Sequence, residues 1–201
     1  MYPMTSHPRG ICLIINNMIF HGVKLDRRGS ERDEEALHRL FEEELDFEVH
    51  VRHDLENLEI QRVAEEFAGK DHSEYDAFVC IVMSHGGDHG TIEGVKGRKI
   101  RTEDITSEFK SSKCPTLADR PKVFITQACR GKLRDPNLSL PDDFAADSTR
   151  SGFLSDSTLS RGDTPDETDF VFAHSTVPGY VSCRDPDFGS PFIQVSTTCS
   201  C

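Results

Sequence analysis

The sequence predicts an α/β fold in which helices flank a mainly parallel central sheet. Strand and helix patterns alternate along the chain, and such alternation favours parallel strands joined by helical crossovers. Several strands, such as those at residues 11–15 and 77–83, are unbroken apolar runs. Runs of this kind are typical of strands that are covered on both faces. The chain of 201 residues is long enough for one such domain with a sizeable core.

The predicted elements follow in a regular order. Five strands are predicted, all of them buried except the second, which alternates in polarity; they lie at residues 11–15, 47–51, 77–83, 122–126 and 169–173. Helical periodicity predicts an amphipathic helix over 33–45, a second helix with Asn57 as its N-cap, a short helix over 102–109 and the first turn of another helix at 192–195.

The charge balance of the chain is acidic. Acidic side chains number 35 and basic side chains 23, which gives a formal net charge of −12. Binding to nucleic acid needs a basic face that displaces counterions, so this balance argues against a nucleic-acid partner. It also argues against an anionic membrane surface. We therefore expect the negative surface to serve mainly solubility.

The seven cysteines favour a reducing compartment. Their number is odd, and several lie inside apolar runs where buried thiols are expected. The first ten residues contain no apolar stretch typical of a signal peptide, and no apolar run approaches the roughly 20 residues of a membrane span. A cytoplasmic location is therefore predicted. The Cys-Ser-Cys end at 199–201 has no second ligand pair nearby, so a zinc site there is not expected.

Two of the predicted buried strands end in small polar residues. The strand at 77–83 runs into Ser-His-Gly-Gly, which contains His85, and the strand at 122–126 runs into Gln-Ala-Cys-Arg-Gly, which contains Cys129. Ligands of open parallel sheets bind just beyond the carboxyl ends of the strands. If these two strands are neighbours, His85 and Cys129 therefore face one crevice.

A thiol beside an imidazole can perform nucleophilic catalysis. The imidazole of His85 favours the thiolate of Cys129 and can later protonate a leaving amine. Gly86 has an unshielded backbone N–H, which together with the N–H of Cys129 can form a two-donor oxyanion hole. The catalytic candidates are therefore Cys129, His85 and Gly86.

Several motifs carry a resemblance to a known family. Gln-Ala-Cys-Arg-Gly at 127–131 matches a caspase signature, and His85 lies 44 residues before Cys129. The other motifs are Cys-Leu-Ile-Ile-Asn-Asn at 12–17, Asp-His-Ser at 71–73, Ser-His-Gly at 84–86, Lys-Cys-Pro at 113–115, Pro-Lys-Val-Phe at 121–124 and Ser-Thr-Val-Pro-Gly-Tyr at 175–180. From about residue 9 to residue 194 the chain resembles a caspase. The resemblance implies a caspase-like fold that here lacks the final strand and the last helices.

The resemblance also implies cleavage after aspartate. A carboxylate side chain is best held by guanidinium forks that grip both of its oxygens. Arg27 and Arg184 match the two arginines of the family's pocket, and Gln127 matches its glutamine. Ser182, in the Ser-Cys-Arg run, is assigned to the same substrate-binding group, whereas Arg28 is expected to be a solvated surface charge.

The resemblance further implies a zymogen that is cut into two subunits. Its segments are a short N-terminal segment at 1–9, a large-subunit-like catalytic core at 10–131, an acidic flexible intersubunit linker at 132–168 and a partial small-subunit-like segment at 169–201. The composition of the third segment, which is rich in Asp, Ser, Thr, Pro and Gly, favours a solvated linker. Candidate processing sites are Asp147, Asp156 and Asp163, each of which precedes Ser or Thr.

The chain departs from the family pattern at three places. Cys183 and Pro191 stand where the family has tryptophans that line apolar subsites, and the chain contains no Trp. The family's last strand, which pairs across the dimer interface, is missing after residue 194. These departures lead us to expect weak dimerisation and little activity of the chain by itself.

Three functional hypotheses remain open at this stage. The first is a cysteine endopeptidase that cleaves proteins after aspartate in apoptosis-type proteolytic signalling, without metal or organic cofactor. Its partners would be protein substrates and a second caspase chain, in a homodimer or heterodimer, if that chain supplies the missing strand. The second is a catalytically weak regulator that binds a full-length caspase. The third, which the Gly-rich setting disfavours, is a zinc-binding protein that uses His85, His89 and cysteines.

Overall fold

The structure, a computed structural model, describes residues 2–22, 24–133 and 168–198. The α-helices of these segments are α1 (Ser30–Arg39), α2 (Asn57–Ala68), α3 (Thr102–Thr106) and α4 (Pro191–Thr198). The strands are β1 (Gly10–Asn16), β2 (Phe47–His53), β3 (Ala77–Met83), β4 (Gly86–Gly87), β5 (Thr91–Glu93), β6 (Lys99–Arg101), β7 (Lys122–Gln127), β8 (Gly131–Leu133), β9 (Phe170–His174) and β10 (Gly179–Tyr180).

A five-stranded parallel sheet forms the centre of the molecule. Its strand order is β2-β1-β3-β7-β9, and each neighbouring pair runs parallel. The register places Met83 opposite both Asn16 and Gln127, so the carboxyl ends of β1, β3 and β7 align at one edge of the sheet. The prediction of an α/β fold with a mainly parallel sheet is confirmed.

Both faces of the sheet are covered by apolar side chains. Every residue of β1 and β3 is buried, as the unbroken apolar runs predicted. On one face, α2 and the segment around Phe109 pack on these strands, whereas Leu37 of α1 and Ile193 of α4 pack on the other. In the described part of the chain, no helix is long and apolar enough to cross a membrane.

Two helix boundaries differ from the sequence-based expectation. The helix predicted over 33–45 begins earlier, at Ser30, and its last turn, Leu40–Glu44, is π-helical. The predicted N-cap at Asn57 is wrong, because Glu56 caps α2 and Asn57 is its first helical residue. Glu56 and Glu59 form a capping box, in which the Glu59 carboxylate accepts from the Glu56 N–H at 2.8 Å.

The prediction that the strand near residue 170 is buried is wrong. Val171 and Phe172 of β9 are 52% and 50% exposed, because β7 is the one strand that pairs with β9 in the described segments. The aromatic rings of Phe170 and Phe172 stack on Phe124 of β7, with ring centroids 5.6 and 5.9 Å away. Stacking therefore holds β9 at the edge of the sheet without enclosing it.

Two small sheets lie beyond the carboxyl edge of the main sheet, and periodicity did not indicate either. Antiparallel pairs join β4 to β5 and β5 to β6, and a parallel pair joins β8 to β10. Gly131 has a φ of +157°, and a Cβ there would lie 2.3 Å from the Gly179 backbone. Only glycine permits that approach, which brings the chain after Cys129 against the segment that leads to Ser182.

Candidate active site

Cys129 and His85 lie two residues beyond the ends of neighbouring strands. β3 ends at Met83 and β7 at Gln127, and these two residues are register partners. The condition that the two strands are neighbours is therefore met. The two loops also touch, because a Cβ on Gly86 would lie 2.3 Å from the Cys129 carbonyl oxygen.

The His85 ring is oriented by the main chain. Its Nε2 donates to the Leu25 carbonyl oxygen at 2.7 Å, and its ring meets Phe20 edge-on with centroids 4.5 Å apart. The pKa of His85 is lowered to about 4, mainly by burial and in smaller part by the positive charge of Arg27, while the hydrogen bond to Leu25 opposes the shift. The ring is therefore neutral at pH 7, with its lone pair on Nδ1.

The Cys129 thiol is half-buried and contacts the main chain of Ser182. The Ser182 N–H donates to Sγ at 3.4 Å, and the Ser182 carbonyl oxygen lies 3.9 Å from Sγ. Among the described residues, Sγ makes no hydrogen bond to the His85 ring. Such bonds are often absent in unliganded sites and form when substrate binds.

Arg27 is a buried cation held at one end. Its side chain is 2% exposed, and all of its hydrogen bonds with described residues involve Nη1. Nη1 donates to Ser30 Oγ at 2.8 Å and to the Asn17 carbonyl oxygen at 3.1 Å. The pKa of Arg27 is lowered to about 9, mainly by burial and in smaller part by the positive charge of Arg184. The group thus stays cationic at pH 7 and keeps Nε and Nη2 for a ligand.

Gln127 is hydrogen-bonded to the segment that bears Ser182 and Arg184. Gln127 Nε2 donates to Ser182 Oγ at 2.9 Å and to the Cys183 carbonyl oxygen at 3.3 Å. Arg184 Nε donates to the Arg28 carbonyl oxygen at 2.7 Å. Burial lowers the pKa of Arg184, while the negative charge of Asp33 opposes this shift. We call Arg27, Gln127, Ser182 and Arg184 the arginine pocket.

Arg28 differs from its neighbour in the way the sequence suggested. Arg28 is exposed, whereas Arg27 is buried, and Arg28 contacts Arg184 through its main-chain carbonyl oxygen. Sequence reasoning missed two groups, the Leu25 carbonyl oxygen and the Asp33 carboxylate. A carbonyl leaves no signal in a sequence. Asp33 resembles any acidic residue in the first turn of a helix, so its burial could not be read from its type.

The remaining predicted sites have different outcomes. Asp147, Asp156 and Asp163 lie outside the described residues, as does the Cys-Ser-Cys end. Across residues 2–22, 24–133 and 168–198, no group of three His, Cys, Asp or Glu side chains is arranged to hold a metal ion. Cys12 and Cys80 are buried thiols, as the apolar runs around them predicted, and Cys114 is buried although its neighbours in the sequence are polar.

The parallel sheet places a thiol and a neutral imidazole beyond adjacent strand ends, which is an arrangement that a cysteine peptidase requires. A profile of the caspase domain matches residues 9–199 of the chain. The chain belongs to the caspase family.

Individual relatives agree with this assignment. The chain is 37% identical to caspase-8 of Mus musculus over 203 residues, which cover 96% of this chain and 42% of that protein. It is 38% identical to caspase-3 of Mesocricetus auratus over 195 residues, which cover 96% of this chain and 65% of that protein. Caspase-3 of Xenopus laevis is 38% identical over 196 residues, with 94% and 64% covered. The chain thus spans between 42% and 65% of the length of these relatives.

Proposed function

We propose that the chain acts as a cysteine endopeptidase that cleaves proteins after aspartate, in apoptosis-type proteolytic signalling. The observation that carries this proposal is the direct contact between the nucleophile and the arginine pocket. Ser182 lies two residues before Arg184. Its N–H donates to Cys129 Sγ, and its Oγ accepts a hydrogen bond from Gln127. A substrate whose aspartate side chain enters the pocket therefore presents its own carbonyl carbon close to Sγ.

The proposed reaction is acyl transfer through the thiol. His85 Nδ1 takes the proton of the Cys129 thiol, and the thiolate attacks the carbonyl carbon of the aspartate residue. The backbone N–H groups of Gly86 and Cys129 hold the oxyanion that forms. Nδ1–H then protonates the leaving amine as the C–N bond breaks, which leaves a thioester. A water molecule, deprotonated by Nδ1, then hydrolyses the thioester and restores the thiol. Throughout these steps the Nε2–H group stays hydrogen-bonded to the Leu25 carbonyl oxygen.

The proposal includes the division into large-subunit-like and small-subunit-like segments. Cys129 and His85 come from residues 10–131, whereas Ser182 and Arg184 come from residues 169–201. Cleavage within 132–168, at Asp147, Asp156 or Asp163, would therefore separate two parts of one site without removing either. Cys12, Cys80, Cys114 and Cys129 form no disulfide with any described residue, which supports the cytoplasm as the proposed location.

A second candidate is a regulator that binds another caspase chain. The edge strand β9 favours it, because Val171 and Phe172 expose apolar surface beside an edge that no described strand covers. Dimerisation with a second copy and heterodimerisation with a caspase are both compatible with that edge. The two candidates differ in whether the Cys129 site turns over peptide.

Active-site labelling tests the proposed function. The protein is incubated with a peptidyl fluoromethyl ketone that ends in aspartate, and with the matched reagent that ends in asparagine. We expect the aspartyl reagent alone to add to Cys129, as located by peptide mass spectrometry, and Cys129→Ala to remove the adduct. Hydrolysis of an aspartyl peptide by the same protein preparation, assayed before the reagent is added, supports the peptidase. Selective labelling without hydrolysis supports the regulator, and equal labelling by both reagents contradicts the aspartate pocket.

A further inference from the structure

Asp33 is a buried carboxylate with an incomplete set of partners. It lies in the first turn of α1 and is 0% exposed. Its Oδ1 accepts from the Ser190 N–H at 2.8 Å and from Gln194 Nε2 at 2.9 Å. Its Oδ2 is buried without a hydrogen-bond partner among the described residues. Burial of a carboxylate is costly unless charges or donors compensate it, so this position calls for a physical reason.

Burial is the largest effect on Asp33 and leaves its pKa raised, while the hydrogen bonds from Gln194 and Ser190 and then the positive charge of Arg27 oppose that shift. The negative charge of Asp33 raises the pKa of both Arg27 and Arg184, against the lowering that burial causes. The two guanidinium groups repel each other, as the lowering of the Arg27 pKa by Arg184 indicates. A fixed negative charge behind them reduces that repulsion while the pocket holds no ligand.

The segment that bears Arg184 is locked against the start of α1. We call residues 184–190 the Arg184 loop. Asp185 and Gly189 exchange backbone hydrogen bonds of 2.8 and 3.0 Å, which closes the loop on itself. Arg184 Nε holds the Arg28 carbonyl oxygen, and a Cβ on Gly29 would lie 2.3 Å from the Asp185 carbonyl oxygen. The two turns that carry the pocket arginines are therefore in direct contact.

Asp33 closes the far end of the same loop. The N–H of Ser190, the last residue of the Arg184 loop, donates to Oδ1, and Gln194 in the first turns of α4 donates to the same oxygen. A Cβ on Gly189 would lie 2.4 Å from that oxygen, so the loop passes directly over the carboxylate. Gly189 has a φ of +87°, which glycine adopts without strain.

We infer that Asp33 is a positioning residue for recognition of the substrate aspartate. Asp33 holds the Arg184 loop on α1, so that Arg27 and Arg184 converge on one carboxylate. This inference rests on the proposed function and names a residue that acts on substrate only through others. Without the acceptor at Oδ1, the Arg184 loop loses the hydrogen bond from Ser190 and α4 loses the one from Gln194. The Arg184 guanidinium then loses its fixed distance from Arg27.

Two substitutions at this site separate the hydrogen bonds from the charge. Asp33→Asn keeps an acceptor at the Oδ1 position and places an amide nitrogen at the unpartnered Oδ2 position. Asp33→Ala removes both oxygens. Gln194→Ala is a milder variant, because it removes one donor and leaves the buried carboxylate bonded to Ser190. Glu35→Ala is the matched control, since Glu35 is an exposed acid on the same helix.

The test compares two alkylation rates at Cys129 for each variant, one with the aspartyl fluoromethyl ketone and one with iodoacetamide, which needs no pocket. For Asp33→Ala we expect the ratio of the two rates to fall at least about tenfold, as the loss of charged hydrogen bonds predicts. Gln194→Ala should lower the ratio less, and Asp33→Asn and Glu35→Ala should leave it within about threefold of the unsubstituted chain. Hydrogen exchange of residues 184–190 should accelerate in Asp33→Ala and not in Glu35→Ala.

The outcomes separate this inference from the proposed function. If the unsubstituted chain shows no preference for the aspartyl reagent, the proposed function fails and the pocket assignment fails with it. If the preference exists and Asp33→Ala and Gln194→Ala keep it, the inference alone is overturned. Parallel slowing of both reagents in Asp33→Ala, with exchange accelerated throughout the chain, also overturns it, because the residue then supports the fold and not the pocket.

Discussion

His85 Nε2 donates a hydrogen bond to the Leu25 carbonyl oxygen at 2.7 Å. A carbonyl oxygen can only accept, so this contact assigns the proton to Nε2 and the lone pair to Nδ1. The orienting group is thus a main-chain atom, which carries no formal charge. A carboxylate in that place would raise the pKa of the ring, whereas the carbonyl offsets only part of the lowering caused by burial.

The first prediction concerns the titration of His85. Its pKa in the folded protein is about 4, below the value of 6.5 for a free side chain. Between these two pH values the unfolded chain binds a proton that the folded chain does not, so the free energy of unfolding falls as the pH is lowered through that window. The pKa can be read from the ring resonances of His85 in an NMR titration. A midpoint near 6.5 would contradict the burial argument.

Denaturant unfolding at pH 7 and pH 4.5 gives the matching stability measurement. His72 and His174 also have pKa values lowered by burial, so the unsubstituted chain reports all three groups. His85→Asn removes one titrating group, and the stability of that variant should depend less on pH over this range. An unchanged pH dependence would show that His85 titrates alike in both states.

The second prediction concerns the two adjacent arginines. Arg27→Lys replaces a buried fork by a single ammonium, which cannot keep the contacts of Nη1 and also grip a carboxylate at both oxygens. We expect the rate of labelling by the aspartyl reagent to fall at least about tenfold, consistent with loss of a charged hydrogen bond. Arg28→Lys is the control, because that residue is exposed and contributes its main-chain oxygen. Equal effects of the two substitutions would contradict the assignment of Arg27.

The sequence predicted the sheet and indicated Cys129 as the candidate nucleophile because both inferences depend on local patterns. Unbroken apolar runs identified β1 and β3, and the punctuation after β3 and β7 located His85 and Cys129. The arginine pocket came from the family resemblance and not from the spacing of its residues. Arg27 and Arg184 lie 157 positions apart, and Asp33 and Ser190 are separated by the same distance along the chain.

Other features depend on contacts that no local pattern encodes. The strand β9 has the composition of a buried strand, yet its exposure depends on which strands lie beside it. The Leu25 carbonyl reaches the His85 ring only because of the path that the main chain takes, and the type of residue 25 does not indicate that path. Asp33 has the type and position of a solvated helix-start acid, and its burial results from the loop that ends at Ser190 and crosses over it.

The third prediction concerns the close approach of Gly86 to the nucleophile loop. A Cβ at this position would lie 2.3 Å from the Cys129 carbonyl oxygen and 2.9 Å from Ala128 Cβ, so Gly86→Ala must displace one of the two loops. We expect a lower rate of Cys129 labelling by the aspartyl reagent, by at least about tenfold, because sub-ångström misplacement of reacting groups is costly. Gly69→Ala is the control, since its Cβ would come no closer than 3.3 Å to other atoms. An unaffected labelling rate in Gly86→Ala would contradict the proposed oxyanion geometry.

The fourth prediction concerns stability and separates the core from the site. Phe109 is fully buried, stacks on Phe78 at a centroid distance of 4.4 Å and meets Phe124 edge-on at 5.5 Å. Phe109→Ala removes these contacts and leaves a cavity, so the free energy of unfolding should fall by about 3–5 kcal/mol. Phe188→Ala changes the same residue type where it is 76% exposed, and should shift the value by no more than about 0.5 kcal/mol. Denaturant unfolding measures both, and similar losses in the two variants would contradict the assignment of Phe109 to the core.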